Sequence, residues 1–136
     1  MARQAVRVSG IAPPAAYYSH GIAAPGGVLY VAGQVPLDPG GHIPVGAEAQ
    51  ARQVLDNLAA VVRAAGASLD DVVKTTVFLT DLGDRTAVGR VREEYFTDPP
   101  PANTLVVVSS LANPAFLVEI EAVVAIPSVP GGQSRT

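Results

Sequence analysis

The feature that most constrains this fold is the order in which two hydrophobic periods alternate along the chain. Residues 28–35 and 71–80 are rich in β-branched side chains and bounded by turn residues, a pattern that predicts strands. Residues 47–65 carry apolar side chains at helical spacing, and Gly66 follows as a C-terminal cap. Residues 85–96 repeat the helical pattern. The chain therefore alternates strand, helix, strand and helix.

The remaining strands complete the predicted sheet. Residues 104–109 and 117–126 form the last two, and a hairpin of residues 6–8 and 17–22 comes first. Asp84 is a candidate N-cap for the second helix. Strand–helix–strand units turn in a right-handed sense and lay their helix against the sheet, so both helices can share one face. The prediction is an α+β fold.

The opposite face of this sheet has no covering element in the chain. On strand 117–126 the side chains of every second residue point to the same face. One of the two sets is apolar throughout, and the other, which includes the two glutamates, still contains Leu117 and Val123. Two apolar sets are expected to leave opposite faces of strand 71–80: Val73, Val77 and Leu79 on one, Val72 and Phe78 on the other. A sheet with one face in water alternates more cleanly with polar residues. A large uncovered apolar face indicates a partner surface, so we expect an oligomer.

Composition narrows the class of protein. The 136 residues suit one domain, expected at residues 1–126, with a flexible tail at residues 127–136. With no cysteine and two histidines, no metal site is expected. The net charge of −3 disfavours nucleic-acid binding, which depends on cations that meet phosphates. No apolar run suits a membrane span and no signal peptide is evident, so we expect a cytoplasmic protein.

Two carboxylates are the most informative polar residues. Glu119 and Glu121 lie two apart on a predicted strand, so both side chains leave the same face. On an apolar strand they lose hydration unless they are paired or wet. One of them can act as a general base or orient a water. The alternative is a structural role, in which both bond backbone amides or a neighbouring cation.

The other candidates lie near strand ends. Tyr18 and His20 precede a predicted strand and can line a pocket; the alternative is a surface turn with a solvated histidine. Asn103 and Thr104 stand where a strand begins after a Pro-rich loop, and strand ends often line sites. Ser109 can supply a hydroxyl or simply end its strand.

Several segments together resemble the YjgF/RidA family, from about Ser19 to Ile126. They are Tyr18-Ser19-His20-Gly21, VAGQVPLDP at residues 31–39, QARQVLDNL at residues 50–58, VVKTTVFL at residues 72–79, Pro101-Ala102 and VEIEA at residues 118–122. No single segment is specific, but the combination is. The resemblance implies a chorismate-mutase-like fold with a mixed six-stranded sheet, two helices on one face, and a homotrimer that binds small molecules in clefts between subunits.

The resemblance also implies an activity. The best-known members hydrolyse imines and enamines such as 2-aminoacrylate to keto acids and ammonia, without a metal or cofactor. Glu119 matches the family's water-positioning glutamate and Tyr18 its tyrosine, while Ala32 and Gly33 match its Ser-Gly pair. An arginine that follows Pro-Ala in active members pairs with the substrate carboxylate, and here that position is Asn103.

These residues together predict an imine or enamine hydrolase with a non-standard pocket. Glu119 is its catalytic residue, and the substrate-binding residues are Tyr18, Ala32, Gly33, Asn103, Thr104 and Ser109. Because a neutral amide cannot replace the charge-assisted arginine pair, the substrate is expected to lack a carboxylate. Whether Arg52, Arg85, Arg90 or Arg92 supplies a replacement charge is left open. The alternative is a non-catalytic trimeric protein that binds a small metabolite.

Overall fold

A computed structural model describes residues 2–126, in which six strands form one mixed sheet and two helices cover one of its faces. The strands and helices are β1 Gln4–Ala5, β2 Gly21–Ala24, β3 Val28–Gln34, α1 Ala47–Ala64, β4 Val72–Leu79, α2 Arg85–Tyr95, β5 Ala102–Val107 and β6 Val118–Ala125. The predicted α+β fold is therefore confirmed. The predicted tail, residues 127–136, lies outside the described residues.

The strand order in the sheet is β1-β2-β3-β6-β4-β5. β4 and β5 pair in parallel and are joined through α2, whereas every other pair is antiparallel. The last strand of the chain, β6, therefore lies between β3 and β4. This position buries Val118, Ile120, Ala122 and Val124 under α1, and it leaves β1 and β5 as the edges.

Helix α1 forms because its apolar residues recur on one stripe that packs on the sheet. Leu55, Leu58 and Val62 are fully buried on that stripe. The helix ends at Ala64 with Ala65 as its C-cap, and Gly66 follows with a φ of 81°, which suits a residue without a Cβ. The Gly66 amide donates to Arg63 O at 2.9 Å and the Ala67 amide to Val62 O at 3.1 Å, which satisfies two carbonyls of the last turn.

Helix α2 begins at Arg85, one residue after the predicted cap. Asp84 holds the N-cap position, but its side chain bonds no amide of the helix. Asp81 instead caps the short 3-10 turn Leu82–Asp84 by accepting from the Gly83 amide at 2.7 Å. The predicted position of the N-cap was therefore correct, but the Asp84 side chain does not cap the helix.

Strand β4 corrects the predicted pattern of faces. The pairing with β6 shifts between Val72 and Lys74, so Val73 is an extra residue in a β-bulge. Val72 is buried with Val77 and Leu79, while Val73 is 51% exposed. The prediction that Val73 shares a face with Val77 was wrong because a bulge reverses the alternation.

The other boundaries moved by a few residues. The first hairpin pairs β1 with β2, so residues 6–8 and 17–20 lie outside its strands. Strand β5 begins at Ala102, which puts Asn103 and Thr104 inside it and leaves Ser109 beyond its end. We call the face without helices the open face; its residues are Tyr30, Lys74, Thr76, Phe78, Thr104, Val106, Glu119, Glu121 and Val123.

Candidate active site

A bulge in β3 positions the best candidate for chemistry. Between the pairs Val31–Ala122 and Gln34–Ile120, two residues of β3, Ala32 and Gly33, stand opposite Glu121 alone. The bulge brings the Gly33 backbone under the side chain of Glu119, whose carboxylate fills the space that a Cβ on residue 33 would need. Glycine at this position therefore lets the carboxylate lie against the backbone.

The environment of Glu119 favours the neutral acid. Its side chain is half-buried, and its carboxylate accepts no hydrogen bond from any residue between 2 and 126. Burial, and then the negative charge of Glu121, raise the pKa of Glu119 above its usual value. A carboxylate with a raised pKa is a stronger base when it is ionised, so this group is suited to take a proton from water.

Side chains of β4 and β5 share the open face with this carboxylate. Phe78 of β4 lies directly opposite Glu119, and Thr76 lies opposite Glu121. Across the next pair, the Lys74 ammonium donates to Thr104 Oγ1 at 2.7 Å. Thr104 therefore shares a face with Glu119, although two strand spacings separate them.

Asn103 projects from the other face of the sheet. It is paired in register with Thr75, whose side chain is fully buried on the helix side. The Thr75 hydroxyl donates to Asn103 Oδ1 at 2.7 Å and accepts from Arg92 Nη2 at 3.2 Å. Asn103 and Glu119 therefore do not converge within one chain.

His20 ties the Tyr18 loop to the β3 bulge. One imidazole nitrogen, Nε2, lies 2.8 Å from Ala12 O, and Gln34 Nε2 donates to Nδ1 at 3.3 Å. Gln34 is buried and also donates to Ala32 O at 3.1 Å. His20 is thus a structural link rather than a solvated histidine. Tyr18 itself is 41% exposed, with its ring edge-on to His20.

The structure brings together only some of the predicted site residues. Ala32, Gly33 and Glu119 meet at the bulge, and Thr104 lies on the same face. Tyr18 and Ser109 are exposed, and neither bonds to this group. No group of three or more potential metal ligands occurs among residues 2–126, and no helix in that range is long and apolar enough to cross a membrane.

Sequence reasoning did not single out Arg92. It lies four residues after Val88, on the helix face that packs on the core, and this spacing was the available signal. The cavity of about 290 Å³ near the end of α2 was not predicted either. Phe96, Asp98 and Pro99 are among its lining residues, and none of the residues that line it belongs to the bulge. It does not extend the Glu119 group.

The comparisons identify relatives over most of the chain. A family model described as Endoribonuclease L-PSP matches residues 9–126. A RutC family protein of Pyrococcus horikoshii is 46% identical over 112 residues, which are 81% of this chain and 87% of that protein. The 2-iminobutanoate/2-iminopropanoate deaminase of Escherichia coli is 42% identical over 102 residues, which are 72% of this chain and 79% of that protein.

A solved structure agrees with these sequence matches. YyfA from Yersinia pestis, a protein of the conserved Rid family, superposes with a TM-score of 0.87 at 34% identity, covering 92% of this chain and 100% of that one. The mixed sheet, its two helices and the carboxylate on its open face thus define a Rid-type α+β protein. The chain belongs to the YjgF/RidA family, as the resemblance in its sequence implied.

Proposed function

We propose that this chain hydrolyses small imines or enamines, with Glu119 as its catalytic residue. Water adds to the carbon of the C=N bond, the C–N bond of the resulting carbinolamine breaks, and a carbonyl compound and ammonia leave. The observation that carries the proposal is the half-buried Glu119 carboxylate, held against Gly33 without a partner among residues 2–126. The deaminase named among the relatives supports the same reaction class.

Glu119 has the properties that this reaction needs. Its raised pKa lets the carboxylate take a proton from the attacking water and return it to the departing nitrogen. Phe78 lies opposite Glu119 and the Gly33 backbone lies against it, which accounts for part of its burial. The reaction needs no redox step, and absence of a cofactor remains a prediction.

We propose that the working unit is a homotrimer with the ligand in clefts between subunits. Tyr30 and Val106, exposed on the open face in one chain, support a partner surface there. Asn103 and Glu119 leave opposite faces, so one pocket can use both only if a second copy supplies one of them. Tyr18, Thr104 and Ser109 remain candidate lining residues on the same argument. A cytoplasmic location also remains a prediction.

Residue 103 bears on the substrate class. Asn103 offers an amide where active members place a guanidinium, and a charge-assisted hydrogen bond contributes about 1.5–3 kcal/mol. On this residue alone, the expected substrate is an imine without a carboxylate. The name of the matching family model suggests ribonuclease activity instead. The net charge of −3 disfavours RNA as a ligand.

The direct test is hydrolysis of freshly generated imines by the wild-type protein and by Glu119→Gln. We expect wild-type acceleration and at least a hundredfold loss in the variant, because an amide cannot take the proton. Glu121→Gln is the matched control on the same strand face and should keep most of the activity. If Glu119→Gln retains wild-type turnover, Glu119 is not the catalytic residue.

A second candidate is a trimeric protein that binds a small metabolite without chemistry. Asn103 favours this candidate. A family member that had lost its catalytic activity could also have lost the arginine from this strand position, as this chain has. Saturable metabolite binding together with no acceleration of any imine would support this candidate over the hydrolase.

A further inference from the structure

Arg92 is a half-buried arginine whose charge is not neutralised by any residue between 2 and 126. Its Nη2 donates to Thr75 Oγ1 at 3.2 Å, and its Nε is buried without a hydrogen-bond partner. Burial removes part of the hydration of its guanidinium and lowers its pKa. Buried cations are normally paired, so this one indicates an anion that is missing from the isolated chain.

The other arginines on the two helices differ from Arg92. Arg52 forms a two-pronged ion pair with Glu94 on the surface, in which Nη2 and Oε1 lie 3.1 Å apart. Arg85 and Arg90 are exposed to solvent. Among the arginines for which a replacement role was left open, Arg92 alone combines partial burial with the lack of a carboxylate partner in residues 2–126.

The surroundings of Arg92 form a set of donors at the sheet edge. Thr75 Oγ1 accepts from Arg92 and donates to Asn103 Oδ1, so one hydroxyl fixes both groups. This arrangement engages the Asn103 carbonyl oxygen and leaves its Nδ2 donors without a partner among residues 2–126. Asn103 is exposed and β5 is an edge strand, so a ligand can approach the amide from solvent.

A purely structural role does not account for these donors. The Arg92 guanidinium carbon lies 5.8 Å from the Phe96 ring centroid, a distance at which a cation and an aromatic face attract each other. That contact does not satisfy Arg92 Nε, which lies in the guanidinium plane beside the Nη2 that donates to Thr75. A planar oxyanion is the group whose lone pairs match them.

We propose that Arg92 and Asn103 together bind the carboxylate of the ligand. The positive charge is then supplied by Arg92 on helix α2, whereas active family members carry it at the position of Asn103 on strand β5. Asn103 adds a neutral donor to the same site. The inference rests on the proposed function only in identifying the ligand as the substrate. This inference replaces the expectation of a carboxylate-free substrate, because that expectation was based on residue 103 alone.

The test compares imines that carry a carboxylate, made by an amino-acid oxidase, with imines that do not, made by an amine oxidase. Wild-type protein should favour the carboxylate set by at least tenfold in kcat/KM. Arg92→Met should lose about a hundredfold on that set, mainly through KM, with little change on the other. Arg90→Met, two residues away on the same helix, is the control. Moving the charge back, in Arg92→Met/Asn103→Arg, should restore the preference.

A binding measurement separates this inference from the proposed function. Pyruvate and its neutral amide, pyruvamide, are titrated calorimetrically into wild-type protein, Arg92→Met and Arg92→Lys, with thermal unfolding as the check on folding. Wild-type protein should bind pyruvate at least tenfold tighter than pyruvamide, Arg92→Lys should keep part of that difference, and Arg92→Met should abolish it. Binding with no turnover of either imine set defeats the hydrolase but supports the carboxylate site. Equal binding of the two probes, or a preference that survives in a folded Arg92→Met, overturns the site.

Discussion

The carboxylate of Glu119 lies where the side chain of residue 33 would begin. Strand β6 supplies the acid, and the bulge in β3 supplies the space for it. The contact is between the end of a flexible side chain and a backbone, so a larger residue at position 33 can be accommodated by moving the acid. Activity and stability should therefore respond differently to substitutions at this position.

Gly33→Ala should lower activity strongly and stability little. The new methyl group displaces the Glu119 carboxylate, and a displacement of about 1 Å can cost a hundredfold in rate. The measurements are kcat on a confirmed imine and the free energy of unfolding in urea. Gly89→Ala is the control, because nothing lies within 4 Å of its added Cβ, and it should stabilise helix α2 by about 1 kcal/mol. Unchanged kcat in Gly33→Ala would contradict the placement of the acid.

Glu121→Gln should move the acid limb of the pH–rate profile to lower pH. The charge of Glu121 is one of two causes that raise the pKa of Glu119, and burial is the larger. Removing that charge lowers the pKa of Glu119, so the base stays ionised to lower pH while burial keeps the pKa above its usual value. The profile of kcat/KM reports this shift. A limb that stays in place, or moves to higher pH, would show that the two carboxylates do not interact.

Asn57→Ala should destabilise the fold by about 2–4 kcal/mol, because it leaves buried groups without partners. Asn57 Nδ2 donates to Val35 O at 3.1 Å and to Leu37 O at 3.0 Å, and it holds the segment that follows the β3 bulge. Urea denaturation measures the loss. Gln53→Ala removes only the bond to Asn57 Oδ1 and should cost less. Equal costs for the two variants would show that the backbone carbonyls are satisfied without Asn57.

Val106→Asp should separate the subunits without unfolding them. Val106 is 38% exposed on the open face, so a charge there is solvated in one chain but buried in a trimer. Sedimentation should give three times the 13.9 kDa chain mass for the wild-type protein and the single mass for the variant. Arg63→Asp, on the exposed side of α1, should stay trimeric. A wild-type protein of single-chain mass would rule out the proposed assembly.

Much of the fold could be predicted from the sequence because the apolar periods are long and regular. The helical stripe of Leu55, Leu58 and Val62 and the alternation of β6 each specify one buried face. Val73 shows the limit of this reasoning. A bulge adds one residue without changing residue types, so the alternation predicts the wrong face for Val73.

The candidate site was less predictable because it depends on which side chains meet. Glu119 and Gly33 are far apart in the chain, and only the pairing of β3 with β6 brings them together. Asn103 was placed at a strand end, but β5 begins one residue earlier, and pairing with Thr75 turns its side chain towards α2. Thr75 links Asn103 to Arg92, and helical spacing places Arg92 on the core face of α2 but does not predict this link.

The central position of β6 has a consequence for synthesis on the ribosome. Strands β3 and β4 cannot be joined until residues 118–125 have emerged, because β6 lies between them. Until then the apolar edges of both strands are open to mispairing with other nascent chains, a hazard that grows with the delay. The strand that closes this gap also carries Glu119, so the acid enters its place against Gly33 in the same step that completes the sheet.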